Sequence, residues 1–336
     1  MEVREPGGPF VLAEREIPEP GPGEVRIKVA ACGICHSDAI VKFVAMPGIT
    51  LPRVPGHEVA GTIDAVGEGA NLWKVGDRVG VGWHGGHCFH CEPCRRGHFI
   101  NCKSAKVTGL HHDGGYGEYM ISPWQAVARM PDELDFVDAG PLLCAGITTY
   151  NAMRNSGARP GDTVAIQGIG GLGHLAVQYA RQMGFRTVAL SRGPEKEALA
   201  KELGAHLYID TKANDAAQAL QALGGADLVL CTAPNAAAIE AMPGALSSRG
   251  KVMLVAAVPG ELKISALNLL SGKQIHGWPS GSAIDSEDAM NFSALTGVRP
   301  RVETFPLEQA NEAFARMMAN EARFRVVLDV DRGAAS

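Results

Sequence analysis

The chain has 336 residues, of which 46% are hydrophobic and 20% charged, and its formal net charge is −5. These are the values of an ordinary globular protein, so they exclude a largely disordered chain, and the length favours two domains over one. The weakly negative charge argues against nucleic acid or a membrane surface as a partner.

Targeting segments are not predicted. No apolar run reaches the roughly 18 residues that a transmembrane helix needs. The first residues, MEVRE, lack the basic segment followed by an apolar one that typifies a secretory signal. We therefore expect a cytoplasmic protein without a membrane partner, in which eight cysteines predict metal binding or catalysis rather than a disulfide scaffold.

The first predicted elements are short strands separated by glycine and proline turns. They cover Glu24–Ala30, Ala60–Val66 and Arg78–Val81. Such a pattern predicts a mostly β domain. Seven of the eight cysteines lie within the first 144 residues, so metal chemistry is expected in this part of the chain.

Beyond Pro160, strands alternate with helices. Apolar residues recur at helical spacing from Leu172 to Met183, and Gly184 is placed to end that helix. Six strands joined mostly by helices predict a doubly wound parallel sheet. The strand candidates are Thr163–Gln167, Arg186–Leu190, His206–Ile209, Ala226–Cys231, Lys251–Ala256 and Gln274–Trp278.

The tail from about Asp285 to Leu328 breaks this alternation. It is predicted to contain one helix, Glu308–Met318, and one strand, Phe324–Val330. We interpret the tail as a return of the chain to the first domain.

Four cysteines fall within fifteen residues, in the pattern Cys88-x2-Cys91-x2-Cys94-x7-Cys102. Four thiolates can close a tetrahedron around one Zn²⁺ and leave no open position, so the lobe 84–103 is predicted to hold a structural zinc. An iron–sulfur cluster also uses four cysteines, and four unrelated thiols are the other alternative. The short, regular spacing favours zinc.

A second set of candidate ligands is scattered along the chain: Cys35, His57 and Cys144. Two cysteines and one histidine form a catalytic zinc set that leaves a fourth position open for water or substrate. Spacing alone does not establish this set, because a single cysteine is more often a small core residue and a single histidine is more often structural. Cys32 and Cys35 also form a CxxC pair, for which a redox role is the alternative, although thioredoxin-like context is missing.

A glycine-rich segment, Gly168-Ile169-Gly170-Gly171-Leu172-Gly173, directly follows the strand Thr163–Gln167 and opens the next helix. In this strand–turn–helix context it predicts dinucleotide binding. Gly168 permits a tight turn, Gly170 lets backbone amides approach the pyrophosphate, and Gly173 permits close helix–strand packing. The helix N-terminus favours the anion. A glycine-rich turn without a ligand is the alternative.

The acidic residue that usually binds the cofactor ribose is missing. An NAD site places Asp or Glu about 20 residues past the glycines, whereas this chain has Ser191 and then Arg192, with Lys196 one helical turn further. A missing carboxylate removes repulsion, and a guanidinium can bind a phosphate through two bonds. We predict a preference for NADP(H), and the alternative is that Arg192 is a solvated surface charge.

Together these motifs resemble the zinc-dependent medium-chain alcohol dehydrogenases over nearly the whole chain. The resemblance is greatest to the cinnamyl-alcohol-dehydrogenase-type branch and the bacterial NADPH-dependent aldehyde reductases. The matching stretches are Cys32–Asp38, Pro55–Glu58, Cys88–Cys102, Gly140–Thr148, Gly168–His174 and Arg323–Leu328. The resemblance implies a mostly β, GroES-like catalytic domain formed by residues 1–145 and 284–336. It also implies a Rossmann domain with a six-stranded parallel sheet, residues 146–283, and an active site in the cleft between the two.

The resemblance further implies roles for residues around the catalytic metal. Cys35, His57 and Cys144 would hold catalytic zinc, and Cys32 would not be a ligand. Glu58 would be a nearby carboxylate that sometimes acts as an alternative ligand. The remaining implied roles are Asp38 as the group that orients the zinc histidine, Ser37 as the hydroxyl that bonds the substrate oxygen, and Trp83 as a wall of the substrate pocket.

Two residues outside the glycine-rich segment, His36 and Arg325, match family positions that approach the cofactor phosphate. The full set of expected cofactor contacts is His36, Gly168, Gly170, Gly171, Leu172, Gly173, Ser191, Arg192, Lys196, Val255 and Arg325. One position departs from the family pattern: many relatives have a histidine that ends a proton relay where this chain has Ile40. The relay would then end in a ribose hydroxyl and water, or in another group such as His112.

The expected activity is hydride transfer between NADP(H) and a primary alcohol or aldehyde, with two zinc ions per chain and broad specificity. A homodimer or homotetramer is expected, because the last strand of the sheet leaves an edge that another subunit commonly covers. The alternatives are an NAD(H)-dependent alcohol dehydrogenase with the same zinc mechanism and a non-catalytic nucleotide-binding protein that keeps only the structural zinc.

Overall fold

A computed structural model describes residues 1–331. The chain forms two compact units. The first comprises Met1–Ile147 together with the chain from Gly281 on, and the second comprises Thr148–Ser280. Over residues 1–331, none of the helices combines the length and the apolar character that a bilayer crossing requires.

The chain up to Gly146 is dominated by strands. These are β1 (Glu2–Val3), β2 (Phe10–Val11), β3 (Glu24–Ile34), β4 (Val59–Val66), β5 (Arg78–Val81), β6 (His84–Gly86), β7 (Lys106–Val107), β8 (Tyr119–Pro123) and β9 (Val127–Arg129). The helices are α1 (Asp38–Lys42), α2 (Glu92–Arg95) and α3 (Phe136–Pro141), and α3 is followed by a π-helical turn, Leu142–Gly146.

Strands and helices alternate from there to the end of the second unit. The elements are α4 (Ile147–Arg154), β10 (Thr163–Gln167), α5 (Gly173–Gln182), β11 (Arg186–Ser191), α6 (Glu197–Glu202), β12 (Leu207–Asp210), α7 (Ala216–Ala222), β13 (Ala226–Cys231), α8 (Ala236–Ala245), β14 (Leu246–Leu254), α9 (Ala266–Leu270) and β15 (Gln274–Gly277). The tail contains α10 (Ala283–Thr296), β16 (Val302–Pro306), α11 (Ala310–Met318) and β17 (Arg325–Asp329).

The first unit is built on a mixed sheet with the strand order β16-β17-β3-β4-β5-β9, and β8 also pairs with β3. Along β3, the fully buried Val25, Ile27 and Val29 alternate with charged residues, which gives the strand one apolar face. That face packs in a core that also contains Phe314 and Leu328 from the tail. The tail therefore belongs to the first unit.

The second unit is a six-stranded sheet with the order β12-β11-β10-β13-β14-β15, and every pair in it is parallel. The central strand β10 is buried along its whole length, as expected where helices cover both faces of a parallel sheet. The strand order reverses between β10 and β13, and ligands bind at the carboxyl ends of such switch points. The predicted fold class, a mostly β domain plus a doubly wound parallel sheet, is confirmed.

The prediction of one helix and one strand in the tail was wrong, because α10 precedes α11 and β16 precedes β17. The buried face of α10 includes Ser286 and Ser293, whereas Ile284 and Leu295 are 58% and 84% exposed. Because serines lie on the buried face and large apolar residues on the exposed face, this segment of the sequence lacks the periodic apolar residues that predict a helix.

Candidate active site

Cys35 and His57 come together because the carboxyl end of β3 pairs with the amino end of β4 in antiparallel register. The backbone N–H of Gly33 donates to the carbonyl oxygen of Glu58 at 2.9 Å. A Cβ at Gly33 would lie 2.0 Å from Oε2 of Glu58. Only glycine at this position therefore admits the Glu58 carboxylate beside the candidate ligands.

Cys144 reaches the same place from the π-helical turn that follows α3. Such turns are frequent at functional sites, because they change the direction of one side chain within a helix. The Sγ atoms of Cys35 and Cys144 are 3.7 Å apart. Two sulfurs that bind one tetrahedral zinc at about 2.3 Å would be about 3.8 Å apart, so the observed separation fits a shared metal.

Four side chains converge at this point. One ligand atom from each lies within 4.8 Å of all the others, and the set is Cys35, His57, Glu58 and Cys144. Nε2 of His57 and Oε2 of Glu58 are buried and have no hydrogen-bond partner within residues 1–331. Buried polar atoms normally have partners, so these two atoms and the two thiols together fit a zinc ion. Cys32 is buried but lies outside the group.

The carboxylate of Asp38 connects two members of this group. Its Oδ2 accepts the backbone N–H of Cys35 at 2.8 Å, and its Oδ1 lies 3.1 Å from Nδ1 of His57. Burial alone would lower the pKa of His57, but the charge of Asp38 raises it well above its usual value. The pKa of Cys35 is lowered well below its usual value. The hydrogen bond with Cys144 is the largest cause, and His57 lowers it further. Asp38 thus faces Nδ1 of His57, and Nε2 is left for a metal.

Arg325 forms a buried ion pair with Glu58. Its guanidinium is beside the Glu58 carboxylate and also donates to the carbonyl oxygen of Ile34 at 3.1 Å, and the arginine is only 5% exposed. Burial raises the pKa of Glu58 to about 7, against the opposing effect of the Arg325 charge. The structure thus gives Arg325 a partner that the sequence did not suggest, and its approach to a cofactor phosphate stays a prediction.

Ser37 and Trp83 lie next to the candidate ligands. Ser37 is half-buried, and its side chain makes no capping hydrogen bond to α1 within the described chain. The ring of Trp83 meets the ring of His57 edge-on, with 5.0 Å between centroids. Both positions are compatible with contact to a substrate bound at this site.

Three further residues were considered for the phosphate contact or the proton relay, His36, Ile40 and His112, and they differ in solvent exposure. His36 is exposed, and Ile40 packs against the core of the first unit. The ring nitrogens of His112 lie 3.1 and 3.2 Å from the carbonyl oxygens of Asp113 and Gly85. His112 is therefore engaged by the backbone, which argues against it as the end of a proton relay.

The lobe 84–103 brings its four cysteines together. All four Sγ atoms lie within 4.8 Å of one another, and those of Cys91 and Cys102 are 3.8 Å apart. The N–H groups of Cys88 and Ser104 donate to Sγ of Cys102 at 3.4 and 3.3 Å. Backbone N–H groups of Lys103 and Cys94 lower the pKa of Cys91 to about 6. Closely spaced sulfurs that accept backbone hydrogen bonds fit a closed four-thiolate metal site.

Replacing Cys94, a buried residue of α2, with serine is expected to release the metal from the lobe and lower the melting temperature by about 10 °C. Structural zinc contributes folding free energy directly, and each kcal/mol lost lowers the melting temperature of a unit of this size by about 2–4 °C. Calorimetry and metal analysis would measure both effects. Ser104→Ala, at the residue directly after the lobe, is the control and should change neither. An unaltered melting temperature in Cys94→Ser, or iron in the native protein, would contradict the structural zinc.

The glycine-rich segment forms the turn between β10 and α5. Gly168 has a φ of +96°, and a Cβ at Gly173 would lie 1.9 Å from the carbonyl oxygen of Gly168. A Cβ at Gly170 would meet no atom within 4 Å among the described residues. The turn is thus closed on the side of the sheet and open above Gly170, which fits a bound pyrophosphate.

Sequence reasoning missed Thr232 at this turn. Its hydroxyl donates to the carbonyl oxygens of Gln167 and Gly168, each at 3.0 Å. The signal was a polar residue directly after the buried strand β13, at the switch point of the sheet. Val255, a predicted cofactor contact, follows β14 at the same edge, and its N–H bonds the carbonyl oxygen of Cys231 at 3.3 Å.

The end of β11 carries the predicted ribose and phosphate contacts. Ser191 is half-buried and Arg192 is exposed. The ammonium of Lys196 donates to the carbonyl oxygen of Ile169 in the glycine-rich turn at 2.8 Å. Asp210 lies opposite Ser191 in the parallel register, so it brings a carboxylate to this edge that the sequence analysis did not consider.

Comparisons with known proteins agree with both units. Residues 21–132 match the family model described as alcohol dehydrogenase GroES-like domain, and residues 171–294 match the one described as zinc-binding dehydrogenase. The chain is 45% identical over 329 residues to alcohol dehydrogenase notN of Aspergillus sp. (strain MF297-2), which covers 98% of this chain and 96% of that protein. It is 36% identical over 309 residues to aldehyde reductase AdhA of Synechocystis sp., with 92% and 91% covered. Its fold resembles a cinnamyl alcohol dehydrogenase of Sorghum bicolor with a TM-score of 0.88 and 31% identity over 98% of this chain and 96% of that chain.

A GroES-like domain joined to a Rossmann-type sheet defines a class of oxidoreductases that use a nicotinamide cofactor. Within that class, the chain belongs to the zinc-dependent medium-chain alcohol dehydrogenase family, as the resemblance of its motifs implied. It is an enzyme that acts on the CH–OH group of small-molecule substrates.

Proposed function

We propose that the protein is a zinc-dependent alcohol dehydrogenase and aldehyde reductase of broad specificity that transfers hydride between NADP(H) and a primary alcohol or aldehyde. The observation that carries this proposal is the convergence of ligand atoms from Cys35, His57, Glu58 and Cys144 in a chain of this family. A panel of alcohols and aldehydes, assayed with both nicotinamide cofactors in both directions, tests it.

In this proposal, a zinc ion bound at the site would supply Lewis-acid chemistry to a carbonyl or alcohol oxygen, and a bound nicotinamide would supply the hydride chemistry. Cys35, His57 and Cys144 would hold the metal, and Asp38 fixes the ring of His57. Ser37 accepts the proton of an alcohol, or donates one to an aldehyde oxygen. Trp83 shields the site from water and favours aromatic or medium-chain substrates.

The far end of the proton relay is proposed to be a ribose hydroxyl and then water. Ile40 has no group that can carry a proton, and both ring nitrogens of His112 lie against backbone carbonyls. With these two positions set aside, the family pattern leaves the cofactor ribose as the next acceptor after Ser37.

A preference for NADP(H) is supported by the end of β11, where Ser191 occupies the usual acidic position and Arg192 is exposed and able to pair with a 2′-phosphate. One observation favours the second candidate, NAD(H). The carboxylate of Asp210, at the end of β12, accepts the N–H of Gly193 at 2.7 Å, so a negative charge lies beside the loop after β11 and would repel a phosphate. We propose NADP(H) because Arg192 can move toward the phosphate, whereas Asp210 is held by backbone donors.

The cofactor preference is expected to appear as roughly 100-fold higher catalytic efficiency with NADPH than with NADH. Two partly solvated charge-assisted hydrogen bonds, each worth about 1.5–3 kcal/mol at most, give this order of magnitude. Arg192→Ala should remove most of the difference through the Michaelis constant, and Ser191→Asp should reverse it.

Arg186→Ala is the matched control, because Arg186 is an exposed arginine at the opposite end of β11. It should leave the ratio of the two efficiencies unchanged. Equal or better efficiency with NADH in the unmutated enzyme would establish the second candidate instead.

We also propose a cytoplasmic homodimer or homotetramer. β15 is an edge strand of the parallel sheet, and the preceding helix α9 exposes Leu267 and Leu270 by 76% and 83%. An open sheet edge beside exposed leucines is commonly covered by another subunit.

A further inference from the structure

A buried tyrosine outside the predicted site reaches the carboxylate that contacts His57. Tyr116 is 0% exposed, and its hydroxyl donates to Oδ2 of Asp38 at 2.9 Å. The same oxygen accepts the N–H of Cys35, while Oδ1 is the oxygen that faces His57. Two donors on Oδ2 therefore determine which oxygen of Asp38 is presented to the histidine.

The backbone around Tyr116 is also tied to the segment that leads into His57. The N–H of Tyr116 donates to the carbonyl oxygen of Pro55 at 3.0 Å, and the N–H of Gly115 donates to that of Gly56 at 3.1 Å. A Cβ at Gly56 would lie 2.5 Å from Cδ1 of Tyr116. The tyrosine ring thus packs directly on the residue before His57, so Tyr116 contacts both the backbone and the carboxylate that surround the histidine.

The hydroxyl of Tyr116 acts as a donor. Burial, and then the charge of Asp38, raises the pKa of Tyr116 well above its usual value, so the phenol keeps its proton. The ring itself is held by an edge-on contact with Phe10, with 5.6 Å between centroids. Removal of the hydroxyl alone should therefore leave the ring in place and change only the hydrogen bond to Asp38.

We propose that Tyr116 is a positioning residue that acts through Asp38 to orient His57 toward the metal. The inference rests on the proposed zinc site of Cys35, His57 and Cys144. Mutation of a group that hydrogen-bonds a metal ligand typically lowers metal affinity by about 10–100-fold. Because Tyr116 is one hydrogen bond further from the metal, we expect an effect near the lower end, about tenfold.

The test is zinc release from the holoenzyme to a chromophoric chelator. In Tyr116→Phe, one of the two zinc ions should leave about tenfold faster than in the native enzyme, and the zinc of the four-cysteine lobe should leave at the native rate. Cobalt placed in the faster site should show shifted visible absorption bands, since the geometry of the histidine ligand changes. Tyr179→Phe, which alters a fully buried tyrosine of the second unit, is the control and should change neither readout.

A double-mutant cycle separates positioning from a general effect on stability. In an Asp38→Ala background, Tyr116→Phe should not accelerate zinc release further, because the hydroxyl has lost the group through which it acts. Native release and cobalt spectra in Tyr116→Phe, an additive effect in the double mutant, or failure of Tyr116→Phe to fold would each overturn the inference. A native enzyme with a single zinc would contradict the proposed function instead.

Discussion

Replacing Cys35 with serine is expected to lower turnover by at least about 10³-fold in a protein that still folds. The thiol of Cys35 is central to the candidate site, since its Sγ lies 3.7 Å from Sγ of Cys144. The backbone N–H of Cys35 is held by the carboxylate of Asp38. Metal stabilisation of developing charge is worth several kcal/mol, and each 1.4 kcal/mol corresponds to about tenfold in rate. Steady-state kinetics with an aldehyde and NADPH would measure the loss.

Metal analysis of the same samples, after washing with a chelator, gives the second readout. The native protein should hold two zinc ions per chain and Cys35→Ser one. Cys32→Ala is the matched control, because Cys32 is equally buried and three residues away but outside the ligand group. It should retain both ions and most of the activity. Native turnover in Cys35→Ser would remove this residue from the catalytic metal site.

Replacing Ser37 with alanine is expected to lower turnover by about 10²–10⁴-fold, the usual range for loss of a group that transfers a proton. Both zinc ions should stay bound, because the Ser37 side chain is not among the converging ligands. A solvent isotope effect on single-turnover rates would show that the measured step includes proton transfer.

Ser37→Thr keeps a hydroxyl at the same position and is expected to restore most of the rate. A merely structural role for Ser37 would give similar losses of stability in both variants and no recovery of rate in Ser37→Thr. An effect below about tenfold on a step shown to be chemical would exclude Ser37 from the proton path.

Local motifs were the part of this protein most accessible from sequence. The strand β10 has the same bounds in the sequence analysis and in the structure, Thr163–Gln167. A central parallel strand is apolar throughout, and the glycine turn that follows it needs only adjacent residues. The four-cysteine lobe is equally local, since all its ligands lie within fifteen residues.

The tail shows where local pattern fails. Helix α10 buries Ser286 and Ser293 and exposes Leu295, so its sequence carries no apolar stripe for a helix. Its first turn does hold a capping box formed by Ser282 and Asp285, which is the local signal that could have located it.

By itself, the sequence determined the fold class, the four-cysteine lobe and the dinucleotide motif, because these depend on residue types at short, fixed spacing. The resemblance of its motifs to a known family implied the family and the scattered ligands of the catalytic zinc. Only the tertiary structure decided which distant residues meet: Cys35 and Cys144, 109 positions apart, Glu58 and Arg325, 267 positions apart, and Asp38 and Tyr116, 78 positions apart. The contact between Glu58 and Arg325 arises from the pairing of β3 with β4 and β17. The register of the strands and the return of the tail to the first unit are set by the packing of the whole core. No short stretch of the sequence encodes them.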